Sequence, residues 1–366
     1  MKRAAEIDTP ALLVDLDIME ANLRRVADYT RAHGLRLRPH TKTHKSPKLA
    51  RRQLELGAAG LTVAKVGEAE VMLEAAPPDL LVAYPVIGTS KLERLTAVAR
   101  RTRVTVSLDS LCAARQLSAA AKAGGVEVGA LAETDVGLGR VGVSPGTELI
   151  DLARGMHSLP GLALEGIAFY PGHIKDHGAE GMEALAALGR LIERMLDDFR
   201  RAGIPVRIVS GGSTPSLFHS HELPGLNEIR PGTYIFNDWN TVVSGACTPE
   251  ECAASMLVTV VSTARPGQII VDGGSKTFSS DRLTGSGAES TFGRVVEAPE
   301  AGFRKMNEEH GYIDVTRCER KFEIGERLHI IPNHICVAVN LHERVQGMRH
   351  GEVEEVWEVA GRGKLQ

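Results

Sequence analysis

Arg38-Pro39-His40-Thr41-Lys42-Thr43-His44-Lys45 crowds two lysines, two histidines and an arginine into eight residues. Such a run is either a basic surface loop or the setting of a reactive lysine. A lysine amine condenses with an aldehyde when desolvation or cationic neighbours lower its pKa, and this run supplies the cations. A second cluster, Ser210-Gly211-Gly212-Ser213-Thr214, combines side-chain-free backbone with hydroxyl donors just before a short helical pattern. That combination suits a phosphate group. Arg230-Pro231-Gly232-Thr233-Tyr234 has the same character. An aldehyde for the lysine and a phosphate for the glycines together suggest pyridoxal phosphate.

Three further groups carry chemistry. Phe169-Tyr170-Pro171-Gly172-His173 offers a tyrosine and a histidine for proton transfer or ring contact. Glu133-Thr134-Asp135-Val136-Gly137-Leu138-Gly139-Arg140 contains a loose Gly-x-Gly, but the third glycine is misplaced for a dinucleotide fingerprint. Ile331-Pro332-Asn333-His334-Ile335-Cys336 runs into a strand-like stretch at 334–339, on which His334 and Cys336 would share one face. Imidazole beside thiolate can hold a borderline-soft divalent ion, Zn²⁺ best, with positions left open for water or substrate. Two buried residues side by side by coincidence give the same spacing.

The elements around these groups alternate. Strand-like runs at 35–38, 60–63, 80–83, 104–107, 126–132, 164–168, 206–209 and 227–230 are each followed, except the last, by a helix-like run. The count predicts an α/β fold, a (β/α)8 TIM-type barrel over about 230 residues, with an open doubly wound sheet as the alternative. The clusters above fall just after predicted strands, at the end where such barrels carry their active sites. Beyond about residue 240 short β-rich runs replace helices, predicting an all-β domain. The expected division is a barrel over 17–240 and a β domain over 241–366, which the first strand (10–16) joins.

Composition excludes other classes. The 366 residues are 43% hydrophobic with a formal net charge of −3, which argues against disorder and gives no electrostatic footprint for nucleic acid or an anionic membrane. No apolar run approaches membrane-spanning length, and no apolar signal core precedes Pro10. The five scattered cysteines form no disulfide framework. Cys247 and Cys252 lack the second pair of a structural zinc site. A cytoplasmic protein is expected.

Arg38 to Lys45 resembles the cofactor loop of fold-type III pyridoxal phosphate enzymes, in the branch of D-threonine aldolase and eukaryotic-type D-serine dehydratase. The resemblance spans nearly the whole chain. It takes in Asp8-Thr9-Pro10, the Asp-x-Gly-x-Gly-Arg run ending at Arg140, the Gly-Gly-Ser-Thr loop and Pro231-Gly232-Thr233-Tyr234-x-Phe236-x-Asp238. It continues through Asp272-Gly273-Gly274 before Lys276, and Pro-x-His-x-Cys before Asn340-Leu341-His342. The alanine racemase barrel is a more distant relative.

The resemblance implies roles. Lys42 matches the Schiff-base lysine, Arg140 an arginine near the cofactor's phenolic oxygen, and Tyr170 a tyrosine beside its ring. Ser210, Gly211, Gly212, Ser213, Thr214, Gly232, Thr233 and Tyr234 match the phosphate region, and Arg230 is placed with them. His334 and Cys336 match the metal ligands. A homodimer with active sites at the interface is implied.

The implied substrate is a D-β-hydroxy amino acid. In the aldolase reading a base takes the β-hydroxyl proton and the Cα–Cβ bond breaks, giving glycine and an aldehyde; His40, His44 and a metal-bound water are the base candidates. In the dehydratase reading Lys42 takes the α-proton and hydroxide leaves, giving ammonia and a keto acid. Aldolases of this branch commonly carry His-x-Asp, whereas His-x-Cys is the spelling of D-serine and D-3-hydroxyaspartate dehydratases. Cys336 favours Zn²⁺; Asp would suit Mn²⁺ or Mg²⁺ better. Overall resemblance leads to the aldolase. A metal-free racemase needs a base on the opposite cofactor face, and the β domain offers only Tyr312 in unmatched surroundings. A non-catalytic cofactor carrier would lack the β domain.

Overall fold

The structure, a computed structural model, describes residues 6–175, 178–283 and 291–366. Its contacts define two compact units. The barrel unit comprises Arg25–Lys42, Ser46–Gly232 and Gly363–Gln366; the β unit comprises Met1–Arg24, Thr43–Lys45 and Thr233–Arg362. The chain thus passes between units at Gly232–Thr233, a few residues before the expected boundary at 240. It also lends residues 43–45 of the lysine run to the β unit.

Strand β1 (Ala11–Asp15) leads into helix α1 (Leu16–Ala32). The eight barrel strands follow: β2 (Arg36–Leu37), β3 (Leu61–Val63), β4 (Asp79–Val82), β5 (Arg103–Leu108), β6 (Val128–Glu133), β7 (Leu162–Ala168), β8 (Ile208–Gly211) and β9 (Glu228–Ile229). They form one parallel sheet in the order β2-β9-β8-β7-β6-β5-β4-β3. The ends meet through a parallel bridge between His40 and Thr62, where Thr41 N–H donates to Thr62 O at 2.8 Å and Thr62 N–H to Pro39 O at 2.9 Å. The expected eight-stranded α/β barrel is therefore present. Strands β3, β4 and β6 are buried throughout, as parallel strands covered on both faces must be.

Helices α2 (Pro47–Glu55), α3 (Val66–Met72), α4 (Thr89–Ala99), α5 (Leu111–Gly124), α6 (Thr147–His157) and α7 (Ala179–Arg201) fill the crossovers. Local chemistry sets their ends. The Ser110 hydroxyl accepts from Ala113 N–H at the start of α5, and Gly125 ends it at φ +63°. In α7, Leu185, Leu188, Ile192, Met195 and Phe199 recur at helical spacing and are buried, each contributing about 1.5–3 kcal/mol relative to exposure.

In the β unit, β1 lies between β10 (Ala254–Arg265), antiparallel, and β16 (Arg344–Arg349), parallel. The sheet continues with β11 (Gln268–Val271), β12 (Gly293–Val295), β13 (Gly302–Met306), β14 (Gly311–Asp314), β15 (Arg327–Pro332) and β17 (Glu352–Glu358). Two of the sequence motifs meet here: Thr9 Oγ1 donates to Asp272 Oδ2 at 2.5 Å. No helix among the described residues is long and apolar enough to cross a membrane.

One element departs from expectation. Residues 334–339 are not a strand. β15 stops at Pro332, His334 is an extended N-cap (φ −134°, ψ 103°), and, after the short helices α8 (Trp239–Val243) and α9 (Ser275–Phe278), Ile335–Leu341 form helix α10. The run Ile335-Cys336-Val337-Ala338-Val339 is apolar and β-branched, and so short a run carries no periodicity that separates strand from buried helix.

Candidate active site

In the barrel unit the lysine run is tied to its neighbours by closure of the sheet. Arg38 N–H donates to Ile229 O and His40 N–H to Pro231 O, both at 2.9 Å. The structure thus brings the backbone leading to Lys42 beside Arg230-Pro231-Gly232. Lys42 is half-buried, and its amide donates to His40 Nδ1 at 3.4 Å.

Arg38 does not serve the lysine as a neighbouring cation. It is fully buried and spread over two carboxylates: Nη1 and Nη2 donate to Asp79 (2.9 and 3.2 Å) and Nε to Glu228 (3.0 Å). Of the five basic residues in the run, this one is structural.

The network continues toward the predicted phosphate side. Ser210 Oγ donates to Glu228 Oε1 at 2.7 Å and accepts from Arg230 Nη1, while Arg230 Nη2 donates to Phe169 O at 2.9 Å. The Ser210 side chain is therefore engaged inside the barrel, while its carbonyl accepts from Phe169 N–H. Burial lowers the Arg230 pKa, opposed first by Glu133 and then Glu228. Glu133, which the sequence offered without a role, ends β6 with Oε2 buried and without a hydrogen-bond partner. Burial raises its pKa, and Arg230 and then Arg140 oppose the shift.

Backbone geometry explains the glycines. A Cβ on Gly211 would lie 2.4 Å from the Phe169 ring, and Gly212 holds φ +83°, a region that favours glycine. Ser213 Oγ lies 3.0 Å from Ser216 Oγ, and Thr214 is buried. Opposite signals converge at Tyr170. A Cβ on Gly172 would strike its ring at 2.3 Å, and the Arg140 guanidinium lies over that ring at 4.8 Å. The loop carrying Arg140 is folded by Asp135, whose carboxylate accepts from the amides of Gly137, Leu138 and Gly139. The Gly-x-Gly run cradles its own aspartate rather than a dinucleotide.

A strand end closed to side chains, a buried arginine, an orphaned buried carboxylate oxygen and a half-buried lysine fit a phosphate-bearing cofactor with polar ring atoms.

The β unit holds the other group. His334 and Cys336 lie at the β15–α10 junction, so a strand-to-helix turn rather than strand alternation sets their spacing. Asp238 (1% exposed) does two jobs. Oδ1 caps the short helix α8 (Trp239–Val243) by accepting from Thr241 N–H at 2.9 Å; Oδ2 accepts from Ile335 N–H and from His334 Nδ1, both at 3.1 Å. A carboxylate on Nδ1 assigns Nε2 to the ligand role, the usual arrangement behind a metal-binding histidine, and the ring also hydrogen-bonds Cys336. The Cys336 thiolate, and after it Asp238, push the His334 imidazole up to about 11 against the opposing effect of burial. Sequence reasoning quoted Asp238 within a motif but gave it no role, since 96 residues separate it from His334.

Around Cys336 stand two hydroxyls, Thr43 Oγ1 at 3.1 Å and Thr233 Oγ1 at 3.7 Å. Tyr234 and His44 are buried in the same unit. Among the described residues no three His, Cys, Asp or Glu side chains form a ready-made metal cage. Imidazole plus thiol, backed by a carboxylate, fit a divalent ion with open positions. Lys276 stands apart, exposed and paired with Glu309 at 2.6 Å. A cavity of about 690 Å³ lined by Ser275, Arg282, Phe292 and His310 contains none of the candidate site residues.

Comparison with known proteins follows the same division. The family model "Alanine racemase, N-terminal domain" matches residues 14–238, and a serine dehydratase domain model matches 253–348. A D-threonine aldolase from Arthrobacter sp. is 32% identical, over 98% of this chain and 94% of that protein. A 3-hydroxy-D-aspartate aldolase from Paracoccus denitrificans (strain Pd 1222) is 32% identical, over 98% and 93%. A D-threo-3-hydroxyaspartate dehydratase from Delftia sp. (strain HT23) is 32% identical, over 96% and 97%. Among solved structures, D-threonine aldolase from Filomicrobium marinum superposes with a TM-score of 0.93 at 31% identity, covering both chains fully. The Delftia dehydratase superposes at 0.87 and 31% identity, covering 98% of this chain and 99% of that one. A cysteine-to-alanine mutant of D-threo-3-hydroxyaspartate dehydratase has been solved in a metal-free form.

Proposed function

The chain belongs to the alanine racemase-like family that pairs this barrel with a serine dehydratase-type domain, and on that premise we propose a pyridoxal phosphate- and metal-dependent lyase. Its substrates are D-β-hydroxy amino acids, cleaved between Cα and Cβ to glycine and an aldehyde. The observation that carries this reading is the pairing, in one chain, of a lysine loop beside Arg230-Pro231-Gly232, with the Gly211-Gly212 end of β8 one strand further on, and a carboxylate-backed His/Cys pair. Aldolase rather than another lyase is supported by relatives of that activity aligning over 98% of the chain.

In the barrel unit Lys42 would bind the cofactor aldehyde. The side-chain-free backbone at Gly211 and Gly212, with Ser213 and Thr214, would hold its phosphate. Pyridoxal phosphate supplies an acceptor for the electron pair released when the Cα–Cβ bond breaks. Arg230 brings a buried positive charge, and the exposed Arg140 sets another above the Tyr170 ring. Glu133 offers its unpartnered oxygen to a polar atom.

In the β unit His334 and Cys336 would hold a divalent ion, Zn²⁺ by their chemistry, which supplies Lewis acidity toward a hydroxyl oxygen. Asp238 keeps the proton at His334 Nδ1 so that Nε2 stays available. His44 is our candidate for taking the β-hydroxyl proton. His40 Nδ1 already accepts an amide proton, which places its own ring proton on Nε2 and suits it to donate rather than abstract. The active form we propose is a homodimer.

Elimination is the second reading, and Cys336 favours it: a thiolate ligand suits Zn²⁺, a strong Lewis acid toward a leaving hydroxyl. Metal-loaded enzyme with D-threonine, D-serine and D-3-hydroxyaspartate separates the two. Glycine with acetaldehyde from D-threonine is expected; ammonia with a keto acid transfers the assignment to a dehydratase.

A further inference from the structure

Cys336 is 8% exposed, and Thr43, fully buried, places its hydroxyl oxygen 3.1 Å from the sulfur. We propose that Thr43 is a positioning residue of the metal centre, its hydroxyl holding the Cys336 sulfur in the orientation that binds the ion. The inference rests on the reading of His334 and Cys336 as metal ligands and adds a residue to it.

The donor assignment follows from chemistry. A thiolate that ligates a metal carries no proton, so between the two atoms only the Thr43 hydroxyl can donate. That bond restricts rotation of the cysteine side chain, as Asp238 restricts the ring of His334. Each proposed ligand thus has a close outer partner: a carboxylate for the imidazole, a hydroxyl for the sulfur. Thr233, at 3.7 Å, is a second and weaker contact on the same atom.

The bond also alters the sulfur. A hydrogen bond to thiolate stabilises its lone pairs, so less charge passes to the ion and the ion stays more electrophilic. Outer partners of this kind typically change metal affinity 10–100-fold. Thr43 directly follows Lys42 in the chain. Consecutive residues therefore serve the two groups the reaction needs, one by covalent chemistry and the other through the cysteine.

The test uses the full chain stripped by chelator and reloaded with Co²⁺, whose thiolate complexes absorb by sulfur-to-metal charge transfer. Thr43→Val keeps the shape and removes the hydroxyl; Thr43→Ser keeps the hydroxyl. Expected for Thr43→Val is a dissociation constant, by chelator competition, raised about 10–100-fold, with the charge-transfer band moved to longer wavelength. Thr43→Ser should restore both. Thr43→Ala is a second hydroxyl-free variant should the valine not be accommodated, circular dichroism reporting the fold. If the unaltered chain shows the band and Thr43→Val matches it in affinity and wavelength, the inference is overturned and the metal centre stands. If the unaltered chain gives no thiolate band, the metal reading itself falls and the inference with it.

Discussion

His334 Nδ1 lies 3.1 Å from Asp238 Oδ2, and the same oxygen accepts the amide proton of Ile335. One carboxylate oxygen thus fixes both the ring and the backbone that carries it. Asp238→Asn keeps the shape but loses the charge. We expect a Zn²⁺ dissociation constant about 10–100-fold higher, measured by chelator competition. Asp238→Ala should lose about 1 kcal/mol more through the cap of α8. Unchanged affinity in Asp238→Asn would remove the aspartate from the metal centre.

Lys42 and Lys45 are distinguished by their surroundings. Lys45 is buried at φ +51°, its Nζ 3.3 Å from Gly361 O, and its carbonyl accepts from Gly361 N–H. That is an anchoring role. Lys42→Ala should lose the visible absorption of lysine-bound cofactor, and Lys45→Ala should keep it with a lower Tm. The opposite pattern would exchange the two assignments.

Arg38 joins Asp79 and Glu228 where no water can replace it. Arg38→Ala removes the nearest cation from two buried carboxylates, leaving Asp79 and Glu228 only the longer ion pairs to Arg103 and Arg36, both at 3.8 Å, and should destabilise the chain by about 3–5 kcal/mol in urea unfolding. A loss below about 1 kcal/mol would mean that the ion network is not the support described here.

Asp135 should make the Arg140 loop sensitive to acid. Burial would raise its pKa, but the amides of Gly139, Gly137 and Leu138 outweigh that and hold it below the usual carboxylate value. A depressed carboxylate stabilises the fold above its unfolded pKa, about 3.9, and that contribution is lost as pH falls through the lower, folded value. The stability difference between the unaltered chain and Asp135→Asn should therefore be present at neutral pH and shrink below about pH 4. A difference that does not change with pH would contradict this.

Chelation provides a further check. Treatment with a strong chelator should abolish lyase turnover, and Zn²⁺ should restore it. Full lyase turnover in the stripped protein would remove the metal from the reaction, and racemisation without lyase turnover would point to metal-free racemase chemistry.

The barrel was legible because its signals are local. Parallel strands show as short apolar runs, caps such as Ser110 mark helix starts, and glycines follow the last residues of strands. The β unit was less so. Gly302–Met306 and Arg344–Arg349 pass unnoticed as strands because they carry Arg, Lys or Gln on half-exposed faces. α10 reads as a strand because its first turns are β-branched. The site shows the same limit. Residue types singled out Lys42, His334 and Cys336 as candidates, but not that Arg38 turns inward to Asp79 or that Asp238 stands behind His334. Those facts depend on side-chain direction between residues far apart in the chain.

The place of β1 bears on how the protein is made. This strand leaves the ribosome well before its partners β10 and β16, which follow more than 200 residues later. Until they emerge, Ala11–Asp15 remains an unpaired apolar segment while the barrel residues are synthesised. The C-terminal unit is therefore not an excisable module. An expression fragment starting at residue 241 would lack a central strand of its own sheet, and supplying residues 6–24 as a separate peptide is the direct way to try to complete it.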